Sequence, residues 1–483
     1  MKRWQVLTSY VICSLTAQFS QTALAQATIQ QILNNGPTDK RINIVYLSEG
    51  YKNSQLSRYI TDASNTLDVL LNASPFSGYR NYFNAFAISV ASSDSGSDHP
   101  SRNIFRDTYF NSTYDSYGIA RLITIDFIGG GRADSLLQLL MPEYDIVIMI
   151  VNDPEYGGSG GFPAIASVHR AAAEIVIHEL GHSFARLGDE YSDPYPGYPD
   201  IEEPNTTRET RRDSIKWHTW ILNSTPIPTP LTSQYETVVG LFGGAHYHTT
   251  GWFRPKLNCK MRALGVAFCQ VCSEALVKST YVLVRPIESY SPTSPVISLV
   301  DSQSVLLSIV PMMPFSHNLS IQWFVDGIQR NGATSSSFNV LGTELGIGQH
   351  TAHVIVRDTT SLVRNDSTRL LRDSTSWAIL ISGTSLVESD PSNQIPTRYS
   401  LEQNYPNPFN PATAIRYRIP VSSKASLKVY NLLGQEVATL VNEELNPGRY
   451  EVHFDATRLS SGVYFYKLQA DSFVETKKMA VMK

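Results

Sequence analysis

The sequence has a small net charge, few cysteines and few long apolar segments. Its formal net charge is −4, from 39 lysine and arginine residues against 43 aspartate and glutamate residues. Nothing in that balance indicates nucleic acid or an anionic membrane as a partner. Beyond the N-terminus, no stretch approaches the roughly 18 consecutive apolar residues of a membrane-spanning helix. We therefore expect no integral membrane segment in the mature chain.

The one long, mostly apolar segment lies at the N-terminus and has the form of a signal peptide. Lys2 and Arg3 supply positive charge, Val6–Phe19 is mostly apolar, and Ala23-Leu24-Ala25 fits a cleavage site. A membrane anchor is the alternative, but polar residues interrupt the segment and it is short for a bilayer. We predict that residues 1–25 are a signal peptide and that the protein is exported and soluble.

The chain has only 4 cysteines, and Cys13 lies within the predicted signal peptide. Cys259, Cys269 and Cys272 remain close together in the exported part. In an oxidising compartment a disulfide among them is the expectation, with one thiol left over. A zinc site built from the three cysteines is the alternative.

The length of 483 residues is enough for about three domains. Segments 42–47, 82–90 and 144–151 predict strands, and the near-continuous apolar character of the last predicts burial on both faces. Residues 54–71 have helical periodicity. We predict an N-terminal α/β domain over residues 26–112 and the domain that carries the chemistry over residues 113–285.

The strongest chemical signal is the sequence EIVIHELGHSFARLGDEY at residues 174–191. On a helix, His178 and His182 lie one turn apart and can share one metal ion. Glu179 is turned from them by about 100°, near enough to reach a metal-bound water. Two imidazoles with a carboxylate suit zinc, so the pattern predicts a zinc site with Glu179 as general base, the chemistry of peptide-bond hydrolysis.

The pattern H-E-x-x-H has only three fixed residues and also occurs by chance in long chains. A histidine pair on a helix can also be a hydrogen-bonded surface pair. The context favours a site, because residues 171–177 are apolar enough for a buried helix. Gly181 allows close approach of another backbone, and Gly188 is expected to end the helix. The preceding glycine loop at residues 156–161 lacks the ending of a phosphate loop. Residues 162–167 are expected to form a short edge strand, to which an extended substrate could add.

Several separated motifs then occur in a particular order: HELGHSFARLGDEY, YGGSGG, GWFRPKLNCKM and FCQVC. Together they resemble the IgA-peptidase family of zinc metallopeptidases over roughly residues 30 to 285. The resemblance implies a metzincin-like α/β (α+β) fold with His178 and His182 as zinc ligands and Glu179 as the catalytic residue. It also implies a methionine turn beneath the zinc, for which Met261 is the candidate.

The third ligand departs from the metzincin pattern, since Ala185 replaces the turn glycine and residue 188 is glycine. Asp189 is our first candidate, because Gly188 lets the chain reverse towards the metal. Glu190 is the second candidate, followed by His246 and His248. Some metzincins place a tyrosine two residues after the methionine; that position is Ala263 here, and Tyr247, Tyr191 or His246 could take over its function.

The remainder of the chain is predicted to be all-β. Residues 286–385 contain alternating runs and a tryptophan, Trp323, placed as on the central strand of an Ig-like sandwich. Residues 386–398 are expected to form a polar linker. Residues 399–483, with the motifs QNYPNPFNP, LKVYNLLGQ and GVYFYKL, closely resemble the C-terminal sorting domain of type IX secretion. That resemblance implies the type IX secretion machinery as a partner and passage across the outer membrane; a plain adhesion module is the alternative.

We thus predict a multidomain protein, a metzincin-like zinc peptidase followed by two β-sandwich domains. Its expected function is hydrolysis of extracellular proteins with one Zn²⁺ per catalytic domain. One alternative is a non-catalytic surface binding module on a peptidase fold, which has no need of Glu179 as a base. The other is a zinc hydrolase of a non-peptide amide.

Overall fold

The computed structural model describes residues 27–195, 197–383 and 396–482, which fall into two compact units. The first unit takes the described residues of Met1–Pro295, Leu306–Phe338 and Thr351–Trp377. The second takes those of Val296–Val305, Asn339–His350 and Ala378–Lys483. The predicted signal peptide, residues 1–25, and most of the predicted linker, residues 386–398, lie outside the described residues.

Strands and helices alternate over the first part of the chain. The strands up to residue 285 are β1 (Thr28–Leu33), β2 (Ile42–Glu49), β3 (Phe83–Ser89), β4 (Ser112–Thr113), β5 (Thr124–Ile125), β6 (Ile146–Val151), β7 (Gly158–Ser159), β8 (Ala164–Ser167), β9 (Phe242–Ala245) and β10 (His248–Arg254). The helices there are α1 (Leu56–Asn72), α2 (Phe127–Leu140), α3 (Ala172–Ala185) and α4 (Gln270–Leu283). Short 3₁₀ helices occur at Thr38–Lys40, Asn53–Gln55, Phe76–Tyr82, Pro100–Arg102, Ser116–Gly118, Arg212–Ser214, His218–Trp220 and Ser233–Tyr235.

A six-stranded sheet in the order β1-β3-β2-β6-β8-β7 forms the centre of this region. The inner pairs β3–β2, β2–β6 and β6–β8 are parallel, whereas the outer strands β1 and β7 are antiparallel to their neighbours. The three predicted strands and the predicted helix are confirmed to within a few residues. The parallel pairing of β2 with β6 crosses the division predicted at residue 112, so that division does not separate two sheets.

Both faces of this sheet are buried, as the apolar runs of β2 and β6 predict. Alternate residues face opposite sides. One side packs against α1 and α3, with α4 packed on α3 in the same core, and the other packs against α2. Residues on the first side include Ile42, Ile44, Tyr46, Ile148 and Ile150, and those on the second include Val45, Leu47, Val147, Met149 and Val151. This sandwich fixes the position of α3, which carries the histidine pair.

The structure corrects the expected edge strand. Residues 162–167 contain β8, which lies between β6 and β7, and the edge position belongs to the two-residue β7 inside the glycine loop. The outer side of β7 is itself partly occupied, because the Gly158 amide donates to Arg121 O at 3.1 Å and Gly158 O accepts from the Ile123 amide at 3.5 Å. Strand addition at Ile165 and Ala166 is therefore excluded, because β6 and β7 pair with both sides of β8 there.

The region that follows is built from strands, with one helical turn, α5 (Gly342–Leu345). Its strands are β11 (Ile287–Ser291), β12 (Val296–Val300), β13 (Ser304–Pro311), β14 (Ser320–Val325), β15 (Ile328–Gln329), β16 (Ser337–Leu341), β17 (Gly348–Arg357) and β18 (Arg372–Ser382). In the first unit, Trp323 is fully buried on β14, which pairs with both β15 and β17. This agrees with a buried tryptophan on an inner strand, while the Ig-like assignment stays a prediction.

Hydrogen bonds within the first unit join this region to the α/β region before it. Asp358 Oδ2 accepts from the hydroxyls of Tyr79 and Tyr281, each at 2.8 Å, and all three side chains are buried. Arg41 forms an ion pair of 2.9 Å with Glu288. These contacts span the boundary predicted at residue 285.

The C-terminal part of the second unit is all-β. Its strands are β19 (Ser400–Leu401), β20 (Ala412–Ile419), β21 (Ser423–Tyr430), β22 (Glu436–Leu445), β23 (Gly448–Asp455), β24 (Gly462–Ala470) and β25 (Phe473–Val481). They form a three-stranded sheet in the order β19-β20-β23 and a four-stranded sheet in the order β22-β21-β24-β25. Alternating apolar residues from both sheets share one buried core, as the alternation in the sequence predicts.

Candidate metal centre

The helix α3 brings the two histidines together. Its apolar residues Ile175, Val176 and Leu180 are buried, which anchors the helix in the core. The Nε2 atoms of His178 and His182 lie 3.2 Å apart, as expected for positions i and i+4. The helix ends at Ala185, where Arg186 takes the left-handed conformation with φ of 54°. The end is therefore three residues earlier than the expected stop at Gly188.

The chain after α3 turns back and places Asp189 beside the histidine pair. Asp189 Oδ1 lies 3.3 Å from His178 Nε2 and 3.4 Å from His182 Nε2. Three ligand atoms at about 2.0–2.1 Å from one tetrahedral ion would be about 3.3 Å apart. Glu190 belongs to a different cluster, so of the two acidic candidates the structure brings only Asp189 to the histidines.

Each of the three side chains makes a hydrogen bond through the atom that points away from the cluster. The two Nε2 atoms and Asp189 Oδ1 therefore face one another. His178 Nδ1 donates to Lys260 O at 2.9 Å and His182 Nδ1 donates to Leu187 O at 2.6 Å. The Tyr247 hydroxyl donates to Asp189 Oδ2 at 2.6 Å. Apart from the two imidazole contacts, the buried Asp189 Oδ1 has no partner in the described part of the chain. Such an arrangement fits a divalent cation, because each ligand is oriented from behind by a second partner.

The contacts between Asp189 and the histidines shift the pKa values of Asp189 and His182. Burial alone would raise the pKa of Asp189, but its contacts with His178 and His182 outweigh burial and hold the pKa well below its usual range. For His182, burial would lower the pKa, whereas the contact and charge of Asp189 raise the pKa to about 9. A buried carboxylate that favours the charged form of the neighbouring His182 would draw a metal cation to the same place.

Glu179 opens onto a cleft of about 770 Å³, which the three candidate ligands also line. Burial raises the pKa of its carboxyl above the usual range, although the two neighbouring histidines oppose the shift. The glycine loop lies directly against this carboxylate: a Cβ atom at Gly160 would be 1.9 Å from Glu179 Oε2. Only glycine leaves room for the carboxylate at this position.

Met261 is fully buried beneath the helix, against Gly181. A Cβ atom at Gly181 would lie 2.5 Å from Met261 Sδ. The expected close approach at Gly181 is thus made by a side chain and not by a backbone. The turn around Met261 also supplies Lys260 O to His178, so the turn supports the histidine from behind.

We expect Gly181→Ala to lower the free energy of unfolding by about 1–3 kcal/mol through overpacking against Met261, partly offset by a helix-propensity gain of up to about 1 kcal/mol. The matched control is Gly131→Ala in α2, where an added Cβ meets nothing within 4 Å. That control should gain about 0.5–1 kcal/mol. Urea titrations of both variants measure the difference, and equal stability of the two would contradict this packing.

A family model described as IgA Peptidase M64 matches residues 30–237 and 232–280, together more than half of the chain. The chain belongs to the IgA Peptidase M64 family. The resemblance over residues 30 to 285 is confirmed, and the protein is a member of a peptidase family.

A second model, described as a Secretion system C-terminal sorting domain, matches residues 403–482 of this M64 protein. The predicted sorting domain is confirmed, and the protein is exported across the outer membrane to the cell surface or the medium. The type IX machinery is therefore its secretion partner. Within the described ranges, no helix has both the length and the apolar character needed to cross a bilayer.

Solved structures similar to the M64 chain give only weak matches. The fibronectin(III)-like modules of Clostridium thermocellum CbhA are 11% identical, with 40% of this chain and 92% of that chain covered and a TM-score of 0.17. The Ig1 domain of mouse SynCAM 2 is 17% identical, with 15% and 81% covered and a TM-score of 0.12. Scores this low support no conclusion about fold. Comparison with curated proteins gives no match.

The other candidates in the M64 chain have different positions. His246 is fully buried, stacked on Trp252 with ring centroids 3.9 Å apart, and its Nε2 donates to Pro199 O at 2.7 Å. His248 Nδ1 donates to His246 O at 2.6 Å. Neither histidine joins the metal cluster. Tyr191 and Tyr247 both line the cleft, and the Tyr247 hydroxyl is engaged by Asp189.

Two residues of the M64 site could not be identified from the sequence. Arg121 lines the cleft and its charge acts on Glu179. Asn205 is fully buried and bridges the chain around Asp189: its Oδ1 accepts from the Gly188 amide at 2.7 Å, and its Nδ2 donates to Glu190 Oε1 at 3.0 Å. Both come from loops far along the chain from α3, and no motif marks them.

Proposed function

We propose that this M64 protein is a secreted zinc endopeptidase, with His178, His182 and Asp189 as metal ligands and Glu179 as general base. The observation that supports it best is the triangle of ligand atoms, with sides of 3.2, 3.3 and 3.4 Å, at the base of a cleft onto which Glu179 opens. Two imidazoles and one carboxylate are a common donor set of catalytic zinc sites that keep a position open.

Zinc bound there would supply a Lewis acid that polarises the scissile carbonyl and lowers the pKa of a nearby water. The chain's own residues supply the rest. Glu179 takes the proton of the attacking water on its carboxylate and then gives it to the leaving amine. The glycine loop holds that carboxylate in place, because Gly160 lies against it. Asp189 Oδ1 contacts both histidines, while the Tyr247 hydroxyl donates to Asp189 Oδ2 and so fixes its position.

We infer a metzincin-like arrangement around this site. The support is the turn that contains Met261, which lies under α3 against Gly181 and contacts His178 through Lys260 O. The same turn accepts the Glu190 amide on Met261 O at 2.9 Å. A rigid support of this kind keeps the three ligands at fixed separations.

The shape of the cleft favours an extended peptide as substrate. It is open to solvent, and the glycine loop, residues 121–122 and residues 262–264 line it. The backbone of the glycine loop and the side chain of Arg121 carry hydrogen-bonding groups that can contact a peptide main chain. Export of the protein places its substrates outside the cell, so we propose extracellular proteins as the substrate class.

The test is hydrolysis of an unfolded, alkylated protein and of a small aliphatic amide by the mature chain. We expect new peptide N-termini from the protein, loss of activity with a zinc chelator, and recovery on adding zinc. Hydrolysis of the amide alone would support the non-peptide hydrolase instead. Proteolysis that resists removal of all metal would overturn the mechanism, and the absence of any hydrolysis by the zinc-loaded chain would favour a binding module.

A further inference from the structure

A second cluster of metal-ligating side chains lies behind the metal centre. It consists of Glu190, Cys259, Cys269 and Cys272, whose ligand atoms all lie within 4.8 Å of one another. These four residues are between 0% and 3% exposed. We propose that this cluster binds a structural zinc ion through three thiolates and one oxygen of Glu190.

The separations within the cluster fit a tetrahedral ion. The Sγ atoms of Cys259 and Cys272 are 3.6 Å apart, and Cys272 Sγ lies 3.6 Å from Glu190 Oε1. With Zn–S of about 2.3 Å and Zn–O of about 2.0–2.2 Å, tetrahedral geometry places two sulfurs about 3.8 Å apart and a sulfur and an oxygen about 3.5 Å apart. All three thiols are free, so the disulfide expected from the sequence is not formed.

The carboxylate of Glu190 independently indicates a cation. Its side chain is fully buried. Oε1 accepts from Asn205 Nδ2 at 3.0 Å and from the Cys272 thiol at 3.6 Å, but Oε2 has no hydrogen-bond partner in the described part of the chain. A buried carboxylate oxygen without a partner is costly unless a metal or a cation balances it. The Cys272 thiol is a weak donor that reaches only Oε1, whereas an ion held by all four residues would balance the whole carboxylate.

The surrounding charges match such an ion. Three thiolates and one carboxylate around Zn²⁺ carry a net charge of −2. Arg254 is buried and interacts electrostatically with Glu190, and Arg262 Nη1 donates to Glu190 O at 2.8 Å. The two guanidinium groups therefore offset the remaining charge. Because four protein ligands enclose the ion and solvent is excluded, the site is structural and has no position for substrate.

The local sequence supplies the ligand spacing. Cys269 and Cys272 are separated by two residues at the start of α4, the C-x-x-C spacing of many zinc sites. Cys259 lies two residues before Met261 in the turn beneath α3. Glu190 directly follows Asp189. The ion would therefore join the chain after α3, the methionine turn and α4 at one point.

This connection gives the second ion a positioning role. Adjacent side chains, Asp189 and Glu190, join different clusters, and the Glu190 amide donates to Met261 O at 2.9 Å. An ion on Glu190 therefore fixes the backbone that presents Asp189 to His178 and His182. Its loss should weaken metal binding at the first centre, although none of its ligands contacts that ion.

The experiment measures metal and thiols in the mature chain, which holds three cysteines. We expect two zinc ions per chain, three thiols that react only after denaturation with a chelator, and, after cobalt substitution, a thiolate-to-metal charge-transfer absorption. In His182→Ala, which disrupts only the first centre, one metal and the charge-transfer absorption should remain. This keeps the second site testable even if the first centre binds no metal.

Cys272→Ser and Glu190→Gln each remove one proposed ligand of the second site and leave the first centre's ligands in place. Each variant should either lose the charge-transfer absorption or bind the metal of the cysteine cluster at least tenfold more weakly. Each should also lower the metal affinity of the first centre. Because these variants could unfold, the wild-type thiol count decides independently. One thiol per denatured chain together with no charge-transfer absorption would mean a disulfide and would overturn the proposal, as would three thiols without cysteine-bound metal.

Discussion

Glu179→Gln is expected to lower kcat/KM for protein hydrolysis by about 10²–10⁴-fold, the usual contribution of general acid–base catalysis. Glutamine keeps the size of the side chain and its fit against Gly160. It removes the oxygen that accepts the proton of the attacking water. The three metal ligands are untouched, so the zinc content should equal that of the wild type. The measurement is a rate of peptide-bond cleavage paired with metal analysis of the same sample.

Glu143→Gln is the matched control, because Glu143 has an exposed side chain and does not line the cleft. It should retain full activity. If Glu179→Gln were as active as this control, Glu179 would not be the base and the proposed mechanism would be wrong. If it lost zinc together with activity, Glu179 would be needed for the metal centre and its role as a base would have no support.

Local patterns predicted the parts of the site that depend on neighbouring residues. His178 and His182 are four residues apart, and helical geometry places them on one face, where their Nε2 atoms lie 3.2 Å apart. The continuous apolar run at residues 144–151 predicted a strand buried on both faces, which is β6. In each case the signal and the structure lie within one element, so the sequence contains all that is needed.

The third ligand depends on contacts that are distant in sequence. Asp189 and Glu190 are adjacent acids after the same helix, and local patterns cannot say which one faces the histidines. The choice is fixed by the left-handed turn at Arg186, by Asn205, which bonds to residues 188 and 190, and by Met261 O, which accepts from Glu190. Only the folded chain brings these groups together.

The same reason explains two of the corrected expectations, the disulfide and the edge strand. An odd number of cysteines in an exported chain favours a disulfide by composition, but the presence of Glu190 beside all three sulfurs is a tertiary contact. The edge strand was misplaced because β7 has only two residues, Gly158 and Ser159, and glycine-rich sequence gives no strand signal. The order of strands in a sheet depends on the whole folded chain. The same holds for the position of Glu190 beside the three cysteines.

Asp189→Ala is expected to remove one zinc ion per chain. Zinc affinity at the first centre should fall by more than about 100-fold, because loss of a residue that only hydrogen-bonds to a ligand already costs up to about 100-fold. Asp189 Oδ1 is the only carboxylate oxygen within reach of both His178 and His182 in the described residues. Its loss leaves two imidazoles, and proteolysis should fall with the metal. Excess zinc should restore part of the activity, because Glu179 remains in place.

The matched control is Asp193→Ala, an exposed aspartate four residues further along the same loop, which should keep its zinc and activity. The loss of one ion is diagnostic whether the wild type binds one or two, since the cysteine cluster contributes equally to both samples. If Asp189→Ala kept its full zinc content and activity, a residue outside this triangle would have to be the third ligand. If it kept zinc but lost activity, Asp189 would act by orienting the histidines, and the separations of 3.3 and 3.4 Å would reflect an ion pair instead of a ligand set.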